Sequence, residues 1–158
     1  MEIDDIKNFP FTEESEKELK KLNRDLETVL REAREIGDLN FQIIEGKRDA
    51  LTQEKMWYKG EAKEDSISAH RIGNAVKLGI YIENRLCFHW QIYAELASCI
   101  RYAAQNLNIG VRWSTVTTDL RFAEEENLLD LVPRAIKHAY GNNAIFFFIP
   151  NYFELVVD

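Results

Sequence analysis

The residues with the most chemical content are acid-x-Lys triplets of the kind nucleases carry on a strand. There an upstream Asp and a Glu hold Mg²⁺ and the Lys steadies the attacking water. Two such triplets stand out, Glu45-Gly46-Lys47 and Glu61-Ala62-Lys63. For the first, the nearest upstream carboxylate is Asp38, roughly 23 Å away along one extended strand, too far to share a metal. For the second, Asp49 lies far enough upstream for a turn and a returning strand. Asp49, Glu61 and Lys63 therefore define a nuclease-like alternative with Mg²⁺ as its cofactor. Lys55 and Lys59 on the approaching face count against it.

Other constellations are weaker. Cys87-Phe88-His89 sets a thiol and an imidazole two residues apart, but His70, Cys99 and His138 are scattered, without the paired short spacings of a structural zinc site. No resident metal and no cofactor are expected outside the Mg²⁺ alternative. A nucleophile built from Cys87, Cys99 or a serine of "EDSISAH" with His70 lacks any Gly-x-Ser-x-Gly elbow or cysteine-protease signature. No Gly-rich phosphate loop precedes a helix.

Charge points instead to a binding role. The chain of 158 residues carries a formal charge of −7, which disfavours a nucleic-acid face because phosphate contacts need clustered Lys and Arg. An acidic surface attracts basic proteins and speeds their association. Glu124, Glu125, Glu126 and Asp130 form the densest acidic patch. Trp57 and Tyr58 supply aromatic residues of the type that anchors interfaces. The leading expectation is a non-enzymatic, acidic protein-binding protein, of the inhibitor or immunity type, acting on a basic toxin or nuclease. The same acidity also serves solubility alone.

These residues must be positioned by recognisable elements. "TEESEKELKKLNRDLETVLREAREIG" predicts one long amphipathic helix over residues 12–37, with Ser15 and Glu18 at capping-box spacing and Gly37 as the stop. Leu19, Leu22, Leu26, Val29, Ala33 and Ile36 recur every three or four positions as a narrow seam. Such a seam suits one partner helix, so a homodimer is expected unless the chain's own core covers it.

After Gly37 the period changes. "LNFQIIEG" reads as a strand, and Met56 to Lys59 leans to strand as well. Val76, Leu78, Ile80 and Ile82, then Leu86, Phe88 and Trp90, alternate around a polar break at Glu83 to Arg85, which predicts a β-hairpin. Tyr93 to Leu107 reads as the central core helix. "VRWSTVTTD" reads as a strand and "FAEEENLLDL" as a helix, with Pro133 kinking it or opening another. Ala144 to Ile149 and Phe153 to Val157 read as C-terminal strands, with Asn151 and Tyr152 in the loop between them.

The pattern mixes helices with antiparallel or mixed strands rather than repeating βαβ units. The expected fold is α+β, in a single domain over residues 1–158. No run of about 18 apolar residues occurs, so no membrane span is expected. The acidic start lacks the basic and apolar regions of a secretory leader, and a cytoplasmic location follows as the expectation.

Overall fold

The computed structural model describes residues 10–47, 73–113, 118–125, 127–131 and 151–156. The segments around Met56, Pro133 and Ala144–Ile149 lie outside the described residues. The fold is α+β, with an antiparallel sheet of five strands and three α-helices among the described residues.

The predicted single N-terminal helix is two helices, α1 at Glu13–Lys21 and α2 at Arg24–Ile36. Helix α1 is capped by the Thr12 hydroxyl, which accepts from the Ser15 amide at 3.1 Å. Ser15 is thus inside the helix rather than its cap. Its buried hydroxyl accepts from the Ile43 amide at 3.0 Å and ties the helix to the sheet. At the break, the Asn23 side chain accepts from the Asp25 amide and caps α2. The Asn23 amide in turn donates to the Gly73 carbonyl at 2.9 Å. Asn favours an N-cap over a helix interior because its side chain competes for backbone hydrogen bonds. The three-four spacing of leucines, which runs unbroken through this point, hides the break.

The expected dimer seam is a core face of the same chain. Leu19, Leu22, Leu26, Val29 and Ala33 are all buried in one hydrophobic cluster, and Ile36, at the helix end, is 39% exposed. Helix α1 packs on the first strand and α2 packs on the central helix, so the stripe is already covered.

The strands are β1 (Phe41–Glu45), β2 (Ala75–Ile82), β3 (Arg85–Cys87), β4 (Val111–Trp113) and β5 (Tyr152–Leu155). Their order is β1-β2-β5-β4, with β3 paired to β2. Val76, Leu78, Ile80, Trp113, Phe153 and Leu155 alternate onto the inner face and meet the helices in the core. The β2–β3 hairpin forms as expected. Its two turn residues, Glu83 and Asn84, both have positive φ, 51° and 65°, which matches the twist of the flanking strands. Beyond Cys87 the alternation ends. Phe88 is 75% exposed, and Trp90 opens helix α3 (Trp90–Leu107) instead of continuing the strand.

Helix α3 is the central core helix, closed by Asn108 in the left-handed conformation. The segment expected to be helical after it forms two short 3₁₀ turns, Leu120–Phe122 and Leu128–Leu131. Arg101 of α3 donates to the Glu125 carbonyl at 2.5 Å, which ties the chain after the first of these turns to the helix. Leu120, Leu128 and Leu131 plug into the core from either side of that tether. Tyr152, expected in a loop, is the first residue of β5, and β5 lies inside the sheet between β2 and β4.

Candidate functional site

The inner face of the sheet is apolar, so the strands' alternate residues create a second, polar face. Residues directly opposite in antiparallel strands share a face. The register pairs Glu45 with Lys77, Lys77 with Tyr152, Ala75 with Glu154 and Arg112 with Glu154. Four strands thereby contribute one row: Glu45, Lys77, Tyr152, Glu154 and Arg112. A bulge between Ile43 and Glu45 on β1 carries Glu45 into line with Lys77.

The row contains two carboxylates and two cations. Glu154 is held at both oxygens, by Arg112 Nη2 at 3.2 Å on Oε1 and by the Tyr152 hydroxyl, which donates at 2.7 Å to Oε2. Arg112 Nε is buried without a hydrogen-bond partner. Lys77 Nζ sits 3.7 Å from Glu45 Oε2, longer than a charge-assisted hydrogen bond. The Lys77 and Glu154 side chains are only 26% and 24% exposed, so these charges are partly withdrawn from water and interact more strongly than on an open surface.

Farther along the same face, Gly79 leaves room for Ile44 and Leu86. A β-carbon there would lie 2.5 Å from Ile44 Cδ1. Beyond it, two adjoining grooves of about 430 and 400 Å³ share Asn40, Tyr81 and Asn84. Tyr81 is four residues from Lys77 along β2, about 13 Å at strand spacing. The outer face thus runs from a polar groove edged by Glu14, Asp38 and Glu83, over an apolar step, to the charged row.

The thiols and the described imidazole do not assemble a nucleophile. Cys87 is buried beside the hairpin, where the Tyr93 hydroxyl donates to its carbonyl at 2.7 Å and accepts from the Ile80 amide at 3.3 Å. His89 is exposed ahead of α3. Cys99 faces Gly37, and burial raises its thiol pKa, with Glu95 and Asp38 adding to the effect. Among the described residues, no three of His, Cys, Asp and Glu come together to hold a metal ion.

Of the sites expected from sequence, Asp49, Glu61 and Lys63, together with Trp57, Tyr58 and Glu126, lie outside the described residues, as do His70 and His138. Glu124 and Asp130 are exposed and Glu125 is partly buried, on the 3₁₀ segment against α3. The polar row was missed in the sequence because its members come from strands far apart in the chain. Its one local signal is the polar partner set of each alternating strand: Lys77 in β2, Arg112 in β4, Tyr152 and Glu154 in β5.

Comparison with known proteins gives the row a context. The chain superposes on the crystal structure of the L-Ala D-Glu endopeptidase ChiX of Serratia marcescens with a TM-score of 0.69. That match covers 98% of this chain and 96% of the other at 24% identity, a likeness of fold. Among curated protein sequences, none matches. The family model described as phage L-alanyl-D-glutamate peptidase matches residues 7–131. That match overturns the expectation of a non-enzymatic inhibitor or immunity protein, and the nuclease alternative with it. Most of its length falls on the elements just described, and the chain belongs to the phage L-alanyl-D-glutamate peptidase family.

Proposed function

We propose that this protein is a peptidase that hydrolyses the bond between L-alanine and D-glutamate in the peptides of bacterial peptidoglycan. The observation that carries the proposal is the family match over residues 7–131. In the reaction, the oxygen of a water molecule adds to the alanyl carbonyl carbon. The C–N bond then breaks, and the departing D-glutamyl nitrogen takes up a proton to leave as a free amine. That chemistry needs a group that activates water and donors that stabilise the oxyanion. The charged outer face of the sheet supports the reading, since it offers the Lys77 ammonium within one partly shielded row. Imidazoles are the side chains best suited to move a proton near neutral pH. Of the chain's three, His89 is an exposed residue ahead of α3, which leaves His70 and His138 as the ones to test.

Mass spectrometry of an L-Ala–D-Glu-containing stem peptide incubated with the purified chain tests the proposal. Two fragments whose masses sum to that of the peptide plus one water are expected, together with loss of cleavage in His70→Ala or His138→Ala. Parallel reactions with a chelator and with added divalent cations separate metal-assisted from base-assisted activation of water. An intact peptide under every one of these conditions refutes the peptidase reading.

A further inference from the structure

We propose that Lys77 is the cation that receives the free carboxylate of the D-glutamyl residue, with Glu45 as the internal carboxylate it exchanges. The inference rests on the substrate class proposed above and deepens it to one residue.

The two cations of the row are not equivalent. Arg112 is committed to Glu154: its Nη2 holds one oxygen of that carboxylate while Tyr152 holds the other. Taking Arg112 away would leave a partly buried carboxylate short of a partner, which is costly. Lys77 is held loosely. Its ammonium has three donors, and its ion pair with Glu45 spans 3.7 Å. A carboxylate of the substrate can take this cation in place of Glu45, whose side chain is 27% exposed. The position also fits. Lys77 stands on β2 between Glu45 of β1 and Tyr152 of β5, at the middle of the row rather than at a sheet edge. The whole chain carries −7, so an anionic ligand approaching it needs a local positive group. Restrained to 26% exposure, that group loses less to solvent than a surface lysine does. The apolar step at Ile44 and Leu86 begins two residues along β2, at Gly79, where a methyl-bearing residue next to the D-glutamate would find contact.

Calorimetric titration with two stem peptides decides the matter, one with the D-glutamate carboxylate free and one with it amidated. The wild-type chain should bind the free acid at least ~10-fold more tightly, the loss expected when a charge-assisted hydrogen bond becomes a neutral one. Lys77→Gln should bind both peptides alike, and Lys77→Arg should restore the preference. Raising the salt concentration should shrink the preference in the wild type. Equal binding of the two peptides by the wild type overturns the assignment, as does a preference that survives Lys77→Gln. The wild-type comparison stands by itself if either variant fails to fold. Discrimination without cleavage keeps Lys77 as the carboxylate receptor and refutes the peptidase reading. Cleavage without discrimination does the reverse, and failure to bind either peptide refutes both.

Discussion

At the scale of single residues, the environment decides whether a reactive group is available. Cys99 is half-buried against Gly37, and desolvation raises its pKa, so the thiolate needed for nucleophilic attack is scarce. Iodoacetamide at pH 8 should label native Cys99 several-fold more slowly than the same cysteine in denaturant; equal rates would contradict the packing. Glu16 shows the opposite shift. Arg31 holds both its oxygens, at 3.1 and 2.7 Å, and that hydrogen bonding lowers its pKa. A carboxylate depressed in the folded state adds stability above its unfolded pKa and loses it as pH falls through the folded value. The contribution is therefore present at neutral pH and absent in strong acid, and the pair's exposure keeps it small. An NMR titration should find the Glu16 midpoint below that of an unperturbed glutamate and moved upward by Arg31→Gln. An unchanged midpoint would show that Arg31 is not its cause.

At the scale of elements, the break between α1 and α2 depends on a residue distant in sequence. Gly73 has φ +80°, and a β-carbon there would lie 3.0 Å from the Asn23 amide nitrogen and 3.2 Å from the Lys21 carbonyl oxygen. Its own carbonyl accepts from that same amide. Gly73→Ala therefore combines a left-handed backbone with crowding against main chain that cannot swing aside. A loss of about 2–3 kcal/mol in urea unfolding is expected, above the usual cost of a surface substitution. A change below about 0.5 kcal/mol would mean that the break does not rest on Gly73. The hairpin is the contrasting case. Its turn signal and the alternation of β2 are local and appear in the structure where the sequence puts them, while β3 ends at Cys87 instead of running on to Trp90.

At the scale of the whole molecule, the leucine stripe of α1 and α2 joins the sheet and α3 in one core. Replacing Leu22 and Leu26 with Glu places two charges at buried positions of the hydrophobic cluster. Burying an unpaired charge costs several kcal/mol, enough to exhaust the stability of a typical domain. The double variant should lose its cooperative thermal transition by circular dichroism. A folded monomer obtained from a wild-type dimer would instead restore the intermolecular seam.

The sequence by itself determined the elements whose signals are short in range. The α+β class, the strand at Phe41–Glu45, the β2–β3 hairpin and the core helix α3 all follow from periodicity, turn residues and caps within a few positions. Helical spacing also identified Leu19, Leu22, Leu26, Val29 and Ala33 as a buried face, yet could not say against what, because an apolar stripe is indifferent to whether its cover comes from the same chain. Only the tertiary structure answered that. It likewise decided the α1–α2 break through Gly73 and the 3₁₀ turns through Arg101. Above all it brought Glu45, Lys77, Arg112, Tyr152 and Glu154 together. Nothing within any one strand points to the others, and strand order and register alone make them neighbours. Pairing between strands is set by which faces must be buried, a condition satisfied by the whole core at once and written in no single stretch of the chain.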